Sequence, residues 1–135
     1  MQDGGLDNTW LMDSGCSRHM TGYSKWFSSL TLVTTKEYIT FGDNSKGKVV
    51  SRGTIWVNDS FVPKDMALVT NLHFNLLSVS QILDEGLEVC FKKHASHILD
   101  SRGDLICNLL LYGRVFKADF SLSFGYSFFG HMKMA

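Results

Sequence analysis

One stretch of this 135-residue chain has the period of a helix: NLLSVSQILDEG, residues 75–86. Its apolar residues recur at helical spacing from about Ser78, and Gly86 marks the C-terminal end. The other patterned segments are short, alternate or are rich in β-branched residues, and end at glycine or polar clusters. This pattern predicts a mostly β fold with one short helix, and the length predicts a single domain.

The strand-type segments extend from residue 9 to residue 120. SKWFSSL, residues 24–30, predicts a loop or helical turn with Trp26 and Phe27 pointing inward. We therefore expect one folded domain over residues 9–120, an N-terminal arm over 1–8, and a tail or polyprotein connector over 121–135. Strands are predicted at 9–12, 36–42, 48–59, 65–72, 87–93, 96–101, 103–111 and 113–120.

Residues 36–59 form one predicted long β-hairpin with a polar tip bounded by glycines. Gly53, in the returning strand, predicts a bulge or a close approach of two backbones. A flexible hairpin of this kind can fold over a bound peptide and exclude water. The tip consists of Gly42, Asp43, Asn44, Ser45, Lys46, Gly47 and Lys48.

The segment TWLMDSGC, residues 9–16, places a carboxylate at the end of an apolar strand. Burying an unpaired carboxylate is costly, so Asp13 at this position indicates a function. Ser14 supplies a hydroxyl that can bond across to a partner loop, and Gly15 permits a tight turn. This is the pattern of an aspartic protease loop, in which two carboxylates share a proton and activate a water.

An Asp-Ser-Gly tripeptide alone is a weak signal, and most such tripeptides are solvated turns. Here it is followed by a hairpin and then by a helix that opens after two apolar residues, Leu76 and Leu77. In this order the three segments predict a catalytic acid, a flap over the substrate and a buttress beneath the acid.

The segments WLMDSGCSRHMTG, ITFGDNSKGKVV and NLLSVSQIL resemble the protease of copia-type LTR retrotransposon gag-pol polyproteins, particularly those of plant elements. The likeness covers roughly residues 9–120. It implies a retropepsin-like closed β-barrel, with one lobe per chain. It also implies Asp13 as the catalytic residue, residues 42–48 as the flap tip, and Leu76, Leu77 and Ser78 as the buttress. Ser78 stands where retropepsins carry glycine, and Cys16 stands where alanine is usual.

No second Asp-Ser/Thr-Gly follows an apolar strand in this sequence. LDSRG, residues 99–103, fails because Arg102 stands where the glycine is needed. We therefore expect a homodimer in which each chain contributes one Asp13 on a two-fold axis. The predicted activity is endopeptidase cleavage of a polypeptide, the gag-pol polyprotein itself.

Three alternatives remain open at the level of sequence. The first is a catalytically silent domain that a host has reused as a dimeric interaction module. The second is nucleic-acid binding through Lys46, Lys48 and Arg52, although a solvated face is the simpler interpretation. The third is a cysteine protease built on Cys16 and His19.

The composition argues against several other classes of function. Lys+Arg and Asp+Glu number 13 each, so we expect no direct nucleic-acid binding. The apolar runs are far shorter than a bilayer span, and the N-terminal residues do not form a signal peptide, so we expect no membrane association. The cysteine and histidine spacing matches no metal motif, so we expect neither a metal nor a cofactor. Three unpaired cysteines fit a cytoplasmic location, including the interior of virus-like particles.

Overall fold

The computed structural model describes residues 9–41 and 44–120. Within these ranges the chain is mostly β and has a single α-helix, so the predicted fold class is confirmed. A one-turn 3-10 helix at Ser24–Trp26 lies inside the predicted helical turn, but residues 27–30 belong to a strand, so the prediction is wrong there. The expected arm, 1–8, and tail, 121–135, lie outside the described residues. The elements are β1 Trp10–Asp13, β2 Met20–Thr21, β3 Phe27–Leu32, β4 Tyr38–Thr40, β5 Lys46–Ile55, β6 Met66–Val69, β7 Asn75–Ser78, α1 Val79–Asp84, β8 Glu88–Cys90, β9 Ser96–Leu99, β10 Leu105–Tyr112 and β11 Val115–Asp119.

The strands form one curved sheet in the order β3-β5-β6-β2-β7-β1-β11-β10-β9-β8, with β4 paired to β5. Strand β1 lies in the interior of this order, parallel to β7 and antiparallel to β11. Its two neighbours come from late in the sequence, so the first described strand is held by the seventh and the last.

The sheet is open, whereas the resemblance implied a closed barrel. In the described part of the chain, the two end strands β3 and β8 do not pair with each other. Strand β3 is almost entirely exposed, and β8 has only three residues. Short, solvated end strands leave their outer edges to water, so the order of strands stops there.

Two apolar clusters lie on the two faces of the sheet. The larger includes Trp10, Met12 and Leu77 together with residues of β9, β10 and β11. The smaller includes Met20, Val49 and Leu72, with Leu76 packed against it. Successive side chains of a strand point to opposite faces, so the adjacent residues Leu76 and Leu77 contact different clusters.

Helix α1 begins and ends where the sequence predicts. The Ser78 side chain accepts a hydrogen bond from the backbone N–H of Gln81 and so caps the first turn. Gly86 follows the helix with a φ of +84°, a conformation that glycine adopts without strain. Among the described residues, no helix has the length and apolar content that crossing a bilayer requires.

The predicted long hairpin is shorter in the structure. Strand β4 pairs only with residues 46–48, the beginning of β5. The rest of β5 pairs with β3 on one side and β6 on the other, which removes it from the hairpin. At Gly53 the β3 backbone approaches so closely that an added Cβ would lie 1.9 Å from the Ser29 carbonyl oxygen, as the close-approach prediction requires.

The strand predicted over 65–72 also ends early, at Val69. Asn71 has a φ of 65°, which turns the chain out of the sheet. Residues 71–74 then form a connection to β7.

Candidate active site

Asp13 is the last residue of β1, and the strand positions it through neighbours on both sides. Trp10 and Met12 anchor β1 in the larger cluster, with 2% and 8% of their surface exposed. On the β7 side, Asp13 is paired in register with Ser78. The buried strand therefore delivers a partly buried carboxylate to the edge of the core.

The segment after β1, residues 13–19, is named here the acid loop. The Gly15 backbone N–H donates a 2.8 Å hydrogen bond to Oδ1 of Asp13, which orients the carboxylate. The Cys16 thiol lies 3.5 Å from the Asp13 carbonyl oxygen, to which it donates. Ser14 and Gly15 are exposed, so their outer surface is open to a second molecule.

The three predicted buttress residues contact the acid loop in different ways. Leu76 lines the cleft described below, and Leu77 is fully buried in the core. Ser78 is fully buried, and its hydroxyl donates a 2.8 Å hydrogen bond to the Cys16 carbonyl oxygen. A serine at this position thus bonds the acid loop directly, which a glycine cannot do.

A cleft of about 950 Å³ separates the acid loop from the hairpin β4–β5. Asp13, Gly15 and Cys16 line one side, and Ser45 lies on the hairpin side. Asp13 is the one carboxylate among the described lining residues, and the surrounding side chains are a mixture of apolar and polar groups. The apolar lining consists of Met20, Ile39, Phe41, Leu72, Phe74 and Leu76.

The hairpin tip is only partly described, because Gly42 and Asp43 lie outside the described residues. Asn44 has a φ of 70°, and its N–H donates a 3.0 Å hydrogen bond to the Phe41 carbonyl, which closes the turn. Lys46 and Lys48 are exposed. Of the predicted tip residues that are described, Ser45 faces the cleft.

The hairpin is fastened to the chain segment that follows β6. The Lys48 N–H donates to the Thr70 hydroxyl at 2.8 Å, and the Thr70 N–H donates to the Lys48 carbonyl at 3.0 Å. Gly47 is buried here, and a Cβ on it would lie 2.3 Å from the Thr70 carbonyl oxygen. The hairpin is therefore fixed at Gly47 and Lys48 by contacts with Thr70.

Ion pairs connect the acid loop to the base of the hairpin. Glu37, just before β4, lies 3.8 Å from Arg18 of the acid loop and 2.5 Å from Arg52 of β5. Asp65 lies 3.8 Å from each of the same two arginines. Arg52 is thus engaged with two carboxylates, which weakens the interpretation of Lys46, Lys48 and Arg52 as a phosphate site.

The geometry does not support a cysteine nucleophile. Burial, with a smaller contribution from the charge of Asp13, raises the pKa of the Cys16 thiol to about 11. Nucleophilic cysteines need a lowered pKa. His19 is fully buried and bonds Ser78 and Glu85 instead of the thiol.

Asp100 occupies a turn between β9 and β10. It belongs to LDSRG, the segment in which Arg102 stands where the Asp-Ser-Gly pattern needs glycine. Its carboxylate accepts hydrogen bonds from the N–H groups of Asp104 and Arg102, both at 2.9 Å. The bond from Asp104 is the largest cause of a pKa held below the usual value. This carboxylate shapes a turn and does not line the cleft.

The sequence did not predict that the connection 71–74 forms a wall of the cleft. Gly22 lets it approach, because a Cβ there would lie 1.7 Å from the Leu72 carbonyl oxygen. The Tyr23 hydroxyl also donates to the His73 carbonyl at 3.1 Å. An asparagine after an apolar strand is a turn signal, and Asn71 could have indicated the early end of β6.

No group of three or more His, Cys, Asp or Glu side chains within residues 9–41 and 44–120 is arranged to hold a metal ion. The polar groups of the described cleft are one carboxylate, the His73 imidazole, the Cys16 thiol, a backbone N–H and several hydroxyl and amide groups.

The described residues form a small, mostly β domain in which one loop carries a carboxylate into a cleft. Residues 10–87 match the family model of the Pol polyprotein, beta-barrel domain. The chain therefore belongs to this family and is a domain of retroelement polyprotein origin. No curated protein and no solved structure matches the chain.

Proposed function

We propose that this domain is the aspartic endopeptidase of a copia-type LTR retrotransposon polyprotein, from a plant element. The observation that carries the proposal is the position of Asp13. Its carboxylate ends a buried strand, accepts the Gly15 N–H at 2.8 Å and lines an apolar cleft beneath a hairpin. The proposed substrate is a polypeptide, the gag-pol polyprotein.

The proposed mechanism needs two copies of Asp13. One carboxylate is ionised and accepts a proton from a water, and the other is protonated and donates to the carbonyl of the scissile bond. Each chain supplies one Asp-Ser-Gly loop, so we propose a homodimer with the two loops facing each other. The exposure of Ser14 and Gly15 supports this arrangement, because a second loop has access to both.

The test of catalysis is the Asp13→Asn variant in an assay of peptide and polyprotein cleavage at mildly acid pH. We expect loss of nearly all turnover, because an amide cannot act as a base toward the water. Asp104→Asn is the matched control, since its side chain is 69% exposed in the β9–β10 turn. Unchanged turnover in Asp13→Asn would overturn the proposal.

The test of the homodimer is activity against concentration. Specific activity should fall steeply on dilution, and sedimentation at active concentrations should give a dimer. An active monomer would contradict the shared pair of carboxylates.

A folded dimer without peptidase activity would favour the alternative, a host-reused interaction module. Binding of pepstatin, an inhibitor that recognises a competent carboxylate pair, distinguishes the two: a silent module would not bind it.

The proposal extends to the surroundings of the domain. We place it in the cytoplasm, including the interior of virus-like particles, without membrane or direct nucleic-acid partners. The pairing of Arg52 with Glu37 and Asp65 supports the last point, because it removes one cation from the hairpin surface. Measured binding of duplex or single-stranded nucleic acid at physiological salt would contradict it.

A further inference from the structure

The last residue of the acid loop, His19, is fully buried and uses both ring nitrogens. Nδ1 accepts a 2.9 Å hydrogen bond from the Ser78 backbone N–H, so Nδ1 carries no proton. Nε2 lies 3.2 Å from Oε1 of Glu85. In the neutral ring Nε2 then carries the proton and donates to Glu85, which fixes both the tautomer and the ring orientation.

The hydrogen bond from Ser78 to His19 takes the place of a backbone hydrogen bond between β2 and β7. The antiparallel pairing of β2 with β7 ends at Met20 opposite Leu76. The imidazole lies beyond the end of that ladder and accepts the N–H of Ser78. A buried N–H without an acceptor is destabilising, so the side chain of His19 holds the end of β7 in place.

Ser78 in turn binds the acid loop at its beginning and its middle. Its backbone is paired in register with Asp13, and its hydroxyl donates to the Cys16 carbonyl at 2.8 Å. With the bond to His19, one buried residue contacts the loop at residues 13, 16 and 19. Displacement of Ser78 would therefore displace the carboxylate of Asp13.

The backbone N–H and the Nε2 atom of His19 contact helix α1 and the residue that follows it. The His19 backbone N–H donates a 2.7 Å hydrogen bond to the Gln81 side-chain oxygen. The Gln81 amide donates to Oε2 of Glu85 at 3.2 Å, and Phe61 packs edge-on against the ring at 6.3 Å between centroids. The imidazole therefore lies between helix α1 and the acid loop and is hydrogen-bonded on both sides.

We propose that His19 is a positioning residue for Asp13, acting through the backbone N–H of Ser78. The proposal rests on the proposed peptidase function for its kinetic consequence. Its structural content, the control of the acid loop by the Nδ1 bond, is independent of catalysis.

Two substitutions of His19 test the hydrogen bonds of Nδ1 and Nε2 separately. In His19→Asn the side-chain oxygen occupies the place of Nδ1 and can still accept from Ser78. In His19→Gln the amide reaches toward the place of Nε2 and Glu85, and the acceptor for Ser78 is lost. The variants are similar in polarity, so each is the control for the other.

The kinetic expectation follows from the geometry of the loop. His19→Gln should lower kcat by about tenfold or more and change KM by less than about twofold, because a misplaced catalytic group slows chemistry more than binding. His19→Asn should keep kcat within about threefold of the parent protein. Equal losses in the two variants, or the reverse order, would overturn the proposal.

Amide hydrogen exchange provides a readout that does not depend on peptidase activity. The Ser78 and Gly15 amides should exchange faster in His19→Gln than in His19→Asn. If the parent protein cleaves nothing, the proposed function fails while exchange still decides the role of His19. If His19→Gln does not fold, His19→Asn decides: retained slow exchange at Ser78 supports the proposal, and fast exchange overturns it.

Discussion

Cys16 is the residue of the acid loop that chemistry does not require, and its surroundings make it inert. The thiol is partly buried, donates to the Asp13 carbonyl oxygen and lies close enough to the Asp13 carboxylate to feel its charge. Burial and this charge both disfavour a thiolate, and burial is the larger cause of the raised pKa. A cysteine can therefore occupy this position beside the Asp13 carboxylate without acting as a nucleophile.

Alkylation by iodoacetamide tests this property of Cys16. With its pKa raised from 9.0 to about 11, the thiol stays protonated at pH 8, and we expect labelling far slower than in the urea-unfolded chain. The Asp13→Asn variant should label faster, since the neighbouring charge is removed. Peptide mapping by mass spectrometry separates Cys16 from Cys90 and Cys107. Rapid labelling of Cys16 in the folded parent protein would contradict the prediction.

The same shift predicts a pH dependence of stability. The folded state holds the Cys16 proton more tightly than the unfolded state does, so the free energy of unfolding should decline between about pH 9 and pH 11. Urea unfolding across this range measures the decline. Cys16→Ala is the control, because it removes this contribution; the Cys107 thiol, whose pKa burial raises to about 12, contributes equally in both proteins. Identical pH profiles for the two proteins would contradict it.

At the scale of elements, glycines allow close backbone contacts at the base of the hairpin and at the connection 71–74. Gly47 lies under the hairpin where the β5 backbone meets Thr70, and Gly22 allows the connection 71–74 to approach. The walls of the cleft are therefore set by backbone contacts, and side chains supply its apolar surface.

Gly47→Ala tests the attachment of the flap. Its Cβ would lie 2.3 Å from the Thr70 carbonyl oxygen and 2.7 Å from the Phe41 ring, so the hairpin must move away from β6. We expect a loss of about 1–3 kcal/mol in the free energy of unfolding, typical of overpacking. Urea denaturation measures it, with Lys46→Ala as an exposed control on the same tip that stays within about 0.5 kcal/mol. Equal stability of both variants would show that the hairpin is not fastened there.

The elements also show what a sequence can reveal. The helix, the strand after it and the strand that carries Asp13 were predictable, because apolar period and end signals are local. Strand β7 was not predicted, since its residues 75–78 continue into the apolar pattern of the helix. The length of the flap was not, since the pairing of β5 with β3 and β6 depends on distant residues. The role of His19 was missed for the same reason: its partner Ser78 is distant in sequence and carries no motif that points back to it.

At the scale of the whole molecule, the family match and the folded unit have different extents. The match ends at residue 87, but β11 pairs with β1 at Trp10 and Leu11. Core residues such as Ile98, Ile106 and Leu109 also lie beyond the match and pack with Trp10. The strands after α1 therefore complete the core of the described fold.

Truncation tests whether the core needs these strands. A chain ending at residue 87 loses the β11 neighbour of the Asp13 strand and exposes Trp10, so we expect no cooperative thermal unfolding transition. A chain ending at residue 120 keeps every described strand, and we expect it and the full chain to unfold cooperatively. Circular dichroism and calorimetry distinguish the two. A cooperative transition in the shorter chain would show that residues 88–120 are dispensable for the fold.

The position of β1 between β7 and β11 also affects when this strand acquires its neighbours during synthesis. A ribosome makes Leu11 roughly a hundred residues before it makes the antiparallel partner Lys117, and translation adds residues one after another at a limited rate. During that interval the strand that ends in Asp13 lacks one of its neighbours. The order of synthesis thus delays the full support of the strand that carries Asp13 until the nascent chain has passed β11.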